Sequence, residues 1–490
     1  MALRPSAFCC RLPGEVPLRP FDLVIIGAGS AGLAAARFAR ALGVRVALVE
    51  ADRIGGDCTW TGCVPSKALL HAAQVAHHRR HADAVGLPAR PVTADLAAVM
   101  ARVQAAQARV YALETPEHLR DEGVEVFLGA GRFRDARTLD INGQAIVGKR
   151  FLICTGASPT VPALPGLHDG PYLTNRTVFG LQRLPERLLV LGGGPVGVEL
   201  AQAFARLGSA VTILQRNVRL LPATDGEASA VLERALRAEG LTVQTTATAE
   251  RVERTGTVIR VTGAGPAGPV VVEGDALLVA LGRTPSVEGL DLAAAGVRVG
   301  ARGIVVDDHL RTSQPHIYAA GDVAGSFQFT HYAGWQAVIA ARNALLPGSS
   351  RGRRPSVPWA IFTDPEIAQV GLTEAEARQQ RETITVKRLP AERNDRAQTS
   401  GQQDGLMKFI LRPNGTLIGA TIVGGAAGEL VNELAIAIDH GLKLADLART
   451  IHVYPTYGFA LQVAAADAWT EALTTGWQGW LIKTLARLTR

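Results

Sequence analysis

Residues 21–50 read FDLVIIGAGSAGLAAARFARALGVRVALVE, and their order decides the fold. The apolar run at 23–27 predicts a strand buried on both faces. A helix-like stretch follows to about Leu42, and VRVALVE at 44–50 is a second strand, so the segment is a βαβ unit. At its first turn lies Gly27-x-Gly29-x-x-Gly32. The first glycine makes the tight turn, the second lets the backbone approach a pyrophosphate, and the third lets the helix pack on the strand. The helix N-terminus, with its unpaired N–H groups and dipole, favours the phosphate charge. Glu50 follows Gly27 by 23 positions and ends the second strand, where a carboxylate accepts hydrogen bonds from ribose hydroxyls.

The same design recurs downstream. LLVLG at 188–192 reads as a strand, 196–207 as a helix and AVTILQR at 210–216 as the next strand, with Gly192-x-Gly194-x-x-Gly197 at the turn. Two such units imply two nucleotide-binding domains. The position equivalent to Glu50 is Gln215, followed by Arg216, with Arg219 close by. A carboxylate there would repel a 2′-phosphate, whereas arginine binds it, so this loop leans towards NADPH over NADH. Solvated arginines are the plainer alternative.

Between the two units, residues 55–70 read GGDCTWTGCVPSKALL. Cys58 and Cys63 flank a short loop, and a helix is expected from about Pro65, which places Cys63 just before a helix N-terminus that stabilises a thiolate. Two thiols in so tight a loop suit a reducible disulfide. Zinc is the rival reading, but no second cysteine pair completes a four-ligand set, and no metal site is expected. Buried structural cysteines are the third reading.

Composition narrows the function classes. The chain has 490 residues, enough for about three domains. An apolar fraction of 47% against 19% charged excludes a mainly disordered chain. The 52 glycines sit at turns and not in a collagen period. Lysine and arginine number 51 against 44 acids, a net +7, but they are scattered, so no nucleic-acid partner is expected. Five cysteines in so long a chain do not make a structural disulfide framework, and no apolar run is long enough to span a membrane, so a cytoplasmic protein is expected.

GGDCTWTGCVPSK resembles the active-site signature of the flavin-dependent pyridine nucleotide–disulfide oxidoreductases, the group of lipoamide dehydrogenase, glutathione reductase and mercuric reductase. The resemblance runs over about residues 21–470. CTGASP (154–159) resembles the return to the flavin domain, ALGRTP (280–285) the exit from the nucleotide domain, YAAGDVAG (318–325) the second flavin motif, and FTDPEIAQVGLTEAEA (362–377) the start of the dimerisation domain. The fold implied is α/β. It has a discontinuous FAD domain (21–160 and 281–350), an NAD(P) domain (161–280) and an α+β dimerisation domain (355–470), after a flexible arm (1–20) and before a basic tail helix (471–490).

The resemblance also implies roles. FAD would be held by Gly27, Gly29, Gly32, Glu50, Lys67, Thr155, Gly156, Gly321 and Asp322. NAD(P)H would be held by Gly192, Gly194, Gly197, Gln215, Arg216, Gly282 and Arg283. Cys63 would be the flavin-facing thiol and Cys58 the interchange thiol facing substrate. Lys67 and Glu199 match a pair beside the flavin. The protein would be a homodimer that passes electrons to a small-molecule acceptor.

Three departures bear on that acceptor. Disulfide-reducing members carry a His-Pro-Thr run with a glutamate five positions on, which together supply an acid/base. Here the run is Tyr454-Pro455-Thr456, and Phe459 takes the glutamate's place. His452 lies two residues earlier. Mercuric reductases use tyrosine in this region, but they carry a vicinal cysteine pair at the C-terminus, whereas this chain ends LARLTR and its vicinal pair is Cys9-Cys10. Pro195 stands where relatives often have a bulky residue that shields the flavin.

Two patterns remain. His71, His77, His78 and His81 cluster on the helix after the cysteines, with His77 and His81 at i, i+4; solvated histidines are the plainer reading. Trp477, Trp480, Leu481, Leu485 and Leu488 form an apolar stripe in a basic tail. Packing on the enzyme itself or its dimer mate is the main expectation for the stripe, and weak contact with a membrane surface the other.

Overall fold

The computed structural model describes residues 19–325 and 327–488. Cys9-Cys10 and most of the arm lie outside the described residues. The chain forms two compact units, one of 1–56, 112–157 and 285–353, the other of 57–111, 158–284 and 354–490.

In the first unit, five parallel strands run in the order Ile317–Ala319, Phe151–Ile153, Leu23–Ile26, Val46–Glu50, Glu125–Leu128. Leu23–Ile26 is central and buried throughout, as its unbroken apolar run requires. The helices Ser30–Ala41 and Thr330–Leu345 belong to this unit. A three-stranded antiparallel sheet, Gly131–Asp135, Thr138–Ile141 and Gln144–Val147, completes the unit.

In the second unit, a four-stranded parallel sheet has the order Thr242–Thr245, Ala210–Gln215, Arg187–Leu191, Ala276–Val279. The helix Pro195–Leu207 follows its glycine loop, with proline in the first turn, where a missing N–H costs nothing. A five-stranded antiparallel sheet spans 359–423 in the order Trp359–Ile361, Ile367–Gly371, Leu417–Val423, Leu406–Leu411, Thr385–Pro390.

The sequence divides the chain by motif, and compactness divides it by shared core. Leu69, Ala73 and Ala76 of the cysteine-bearing helix lie in one apolar cluster with Met100, Leu188, Val198 and Phe204. The segment 57–111 therefore groups with the second glycine loop's unit.

Candidate active site: two glycine loops and a cysteine loop

The two glycine loops are built alike. Gly27 and Gly192 turn at φ +101° and +106°, which L side chains rarely adopt. A Cβ on Gly32 would lie 1.8 Å from the Gly27 carbonyl oxygen, and one on Gly197 would lie 2.0 Å from that of Gly192. Only glycine lets either helix sit so close. A Cβ on Gly29 meets only the Cα of Gly56, at 3.8 Å, and one on Gly194 meets nothing within 4 Å, so both middle positions are open. The first loop and its helix N-terminus thus fit a pyrophosphate such as that of FAD.

Glu50 Oε2 accepts from the N–H of Ala28 at 2.7 Å, and Oε1 from the N–H of Asp52 at 2.8 Å. Each oxygen keeps a lone pair for a ribose hydroxyl. Gln215 is buried and plays Glu50's part in the second loop, its Oε1 accepting from the N–H of Gly193 at 3.3 Å and its Nε2 donating to the Arg219 carbonyl. Arg219 turns inward onto the carbonyls of Pro222 and Thr224, at 2.9 and 3.0 Å. Arg216 is exposed, and its side chain makes no hydrogen bond or ion pair among the described residues.

The remaining flavin-motif residues lie in the first unit. The Thr155 hydroxyl donates to the Ser286 carbonyl at 2.6 Å, and the Gly156 carbonyl accepts from the Ser286 N–H at 2.9 Å. Gly321, at φ +78°, donates its N–H to Gln336 Oε1 and precedes Asp322, the first residue of a 3-10 turn.

The cysteines lie at the junction of two helices, Gly56–Trp60 and Cys63–Arg80. The second helix starts at Cys63, two residues before Pro65, so the thiol is in the first helical turn. That strengthens the reason to expect a thiolate there, since the unpaired N–H groups and the dipole act within the first turn. Gly62 between them is required, because a Cβ there would lie 2.8 Å from the Asp57 carbonyl oxygen. Both cysteines are half-buried. Cys154 is fully buried in the first unit, and burial pushes its thiol pKa up.

Four residues that the motifs did not single out for this purpose brace the cysteine loop. Asp57 accepts from the Thr61 hydroxyl at 3.1 Å and pairs with the Arg283 guanidinium. Gln107 Nε2 donates to the Trp60 carbonyl at 2.7 Å, and Asn175 Nδ2 to the Thr61 carbonyl at 3.1 Å. Arg283, expected to serve the nicotinamide cofactor, is thus engaged at the cysteine loop. Gly282 accepts from the N–H of Thr160 at 2.9 Å.

Lys67 lies one helical turn after Cys63. Its Nζ donates to Glu199 Oε2 at 2.8 Å and sits 4.3 Å from the centre of the Phe362 ring. Glu199 is buried, and its other oxygen accepts from the Phe362 N–H at 2.9 Å. A carboxylate fixed by both oxygens holds the ammonium in one place.

Where the family's acid/base is expected, Tyr454 donates its hydroxyl to Asp395 Oδ2 at 2.9 Å and packs edge-on against Phe459, ring centres 5.2 Å apart. That hydrogen bond, with the carboxylate's charge, raises the phenol pKa above its usual 10. The His452 side chain is 9% exposed. Its Nε2 is 3.0 Å from Glu433, and its Nδ1 is 3.0 Å from the Thr450 carbonyl oxygen. Both ring nitrogens therefore face acceptors. The His77 and His81 rings lie tilted with centres 4.3 Å apart, and burial, then the Arg206 charge, lowers the His77 pKa. No group of three or more metal-ligating side chains occurs among the described residues.

The comparisons with known proteins agree with this geometry. The pyridine nucleotide-disulphide oxidoreductase model matches residues 21–337, and that family's dimerisation domain matches 357–465. A mercuric reductase of Bacillus cereus is 37% identical over 91% of this chain and 71% of its own length. A dihydrolipoyl dehydrogenase of Thermus scotoductus is 37% identical over 93% of this chain and 99% of its own. Among solved structures, the HOCl-induced flavoprotein disulfide reductase RclA of Escherichia coli superposes with a TM-score of 0.82 at 30% identity, covering 91% of this chain and 99% of that one. LpdA of Mycobacterium tuberculosis superposes at 0.83 with 31% identity and the same coverages. The family uses FAD with a pyridine nucleotide as electron donor, and the matched C-terminal domain supports a homodimer. Two glycine loops, the cysteine loop and both family models lead to one conclusion: the chain belongs to the pyridine nucleotide–disulfide oxidoreductases and is an NAD(P)H-dependent flavoprotein of that family.

Proposed function

We propose that the enzyme passes electrons from NADPH, through FAD and the Cys58–Cys63 pair, to a small acceptor. A soft metal ion or a quinone fits best, a small oxidised thiol compound less well, and a large disulfide does not. The observation that carries this reading is the Tyr454–Asp395 hydrogen bond at the place of the missing imidazole. FAD, when bound, supplies the two-electron carrier between nicotinamide and disulfide. Reducing the disulfide takes two electrons and leaves Cys63 as a thiolate at its helix N-terminus and Cys58 as the thiol that meets the acceptor. Lys67, fixed by Glu199, places a positive charge where negative charge develops. A soft metal bound by thiolates needs no proton donor, whereas a disulfide substrate needs one for its leaving thiol. NADPH oxidation by the purified holoenzyme with Hg(II), Cu(II), quinones, lipoamide and glutathione disulfide tests this. Turnover with the first three and little with the last two is expected, and the reverse order defeats the reading.

The His452–Glu433 pair favours a second reading, a dithiol–disulfide oxidoreductase with a relocated base. Burial of the ring and the engagement of both its nitrogens count against it. Loss of lipoamide turnover in His452→Ala would be its signature. Among the described residues no helix is long and apolar enough to cross a membrane.

A further inference from the structure

The helix Gly476–Leu488 carries Trp477, Trp480, Leu481, Leu485 and Leu488, which are 74, 69, 42, 53 and 77% exposed. At 3.6 residues per turn these five side chains fall on one stripe, roughly 140° wide. Lys483 and Arg487 fall on the side of the stripe nearest Trp480. The side chains of the segment 472–490 include three cations, Lys483, Arg487 and Arg490, and no carboxylate. Thirteen residues make a helix about 20 Å long, too short to span a bilayer.

We propose that this helix is an interfacial anchor that lays its apolar stripe into an anionic bilayer surface. The leucines reach the acyl boundary, the indoles sit at headgroup depth, and Lys483 and Arg487 meet lipid phosphates. The one-signed charge selects a bilayer over a second copy of the chain. A two-fold contact through this helix would bring like charges together with no carboxylate on it to pair them. The matched dimerisation domain also ends at residue 465, before the helix begins.

Flotation of the full-length FAD-loaded enzyme with phosphatidylcholine vesicles, with and without phosphatidylglycerol, tests this. Binding is expected only with the anionic lipid and is expected to fall as salt rises. Lys483→Glu with Arg487→Glu should weaken binding by more than about 20-fold, at roughly fivefold or more per cation. Leu481→Glu with Leu485→Glu should abolish it. Both variants should keep NADPH oxidation with a dye acceptor, which shows that they fold. The proposal is overturned if the parent enzyme does not float with anionic vesicles, if it floats equally well with neutral ones, or if both variants float like the parent. It is also overturned if the leucine variant lowers the oligomeric mass in solution, which would assign the stripe to a second copy.

Discussion

The Gln215 side-chain oxygen accepts from the N–H of Gly193 in the second nucleotide loop as Glu50 accepts from the N–H of Ala28 in the first. One loop is closed by a carboxylate and the other by a neutral amide. The amide keeps the loop's hydrogen bond and removes the charge that would repel a 2′-phosphate. On the proposed NADPH reading, Arg216, next in sequence and exposed, would supply the cation.

From this relationship kcat/KM should favour NADPH over NADH by about 10-fold or more, since charge-assisted phosphate contacts contribute about 1.5–3 kcal/mol. Gln215→Glu should preserve the loop and shift the preference towards NADH. Arg216→Glu should reverse it. Steady-state kinetics with both cofactors decides, and equal values in the parent enzyme would show that Arg216 does not reach the ribose phosphate.

The cysteine roles predict a spectrum. With NADPH under anaerobic conditions, a long-wavelength thiolate–flavin band should appear. Cys63→Ser should abolish the band and retain FAD. Cys58→Ser should show the band without reductant, because Cys63 then has no disulfide partner and its helix N-terminus favours the thiolate. A band that survives Cys63→Ser would reverse the assignment.

The glycine loops and the cysteine loop were legible because local chemistry fixes them, whereas the Lys67–Glu199 pair, 132 residues apart, was legible only through the family resemblance. A tight turn demands glycine, and each strand announces itself by an unbroken apolar run. Glu50 and Gln215 were found by their offset along the chain. The brace around the cysteine loop was not, because Gln107 and Asn175 are ordinary amides whose partners lie 47 and 114 residues away. Asp57 was visible inside its motif, but nothing local points to Arg283, 226 residues on. The start of the cysteine-bearing helix was missed by two residues, at Cys63 rather than Pro65, because no side chain caps it.

Lys408 joins the second nucleotide sheet's neighbourhood to the antiparallel sheet. It is 4% exposed and lies 2.8, 2.6 and 2.9 Å from Asp225, Glu227 and Glu374. Burial alone would lower its pKa, but hydrogen bonds to the three carboxylates raise it. Lys408→Met should cost about 3–5 kcal/mol, because it strands the buried Asp225 carboxylate. Glu227 is held down to about 2, first by its hydrogen bonds with Arg388 and then by Lys408, against an ordinary 4.5. A depressed carboxylate pKa contributes stability above its unfolded value and loses it as pH falls through the folded one. Thermal stability should therefore fall between pH 5 and pH 2, and less steeply in Glu227→Gln. Identical slopes in parent and variant would remove Glu227 from the account.

The last prediction concerns the absent base. Exchange with a disulfide substrate needs a proton moved between Cys58, the substrate thiols and solvent, and a placed acid/base contributes about 10²–10⁴-fold. The Tyr454 phenol, with its pKa raised by Asp395, stays protonated near neutral pH and cannot take a thiol proton. Glutathione disulfide and lipoamide should therefore turn over slowly, while acceptors without a thiol leaving group should not suffer. Tyr454→His with Phe459→Glu restores an imidazole with a carboxylate at the position beside it, where the Tyr454 and Phe459 rings now touch. The double variant should raise disulfide reduction and leave quinone or metal reduction little changed. Tyr454→His alone should gain less, having only Asp395 to orient it. Ordinary lipoamide turnover by the parent enzyme would sink the idea, and loss of such turnover in His452→Ala would move the base to the His452–Glu433 pair.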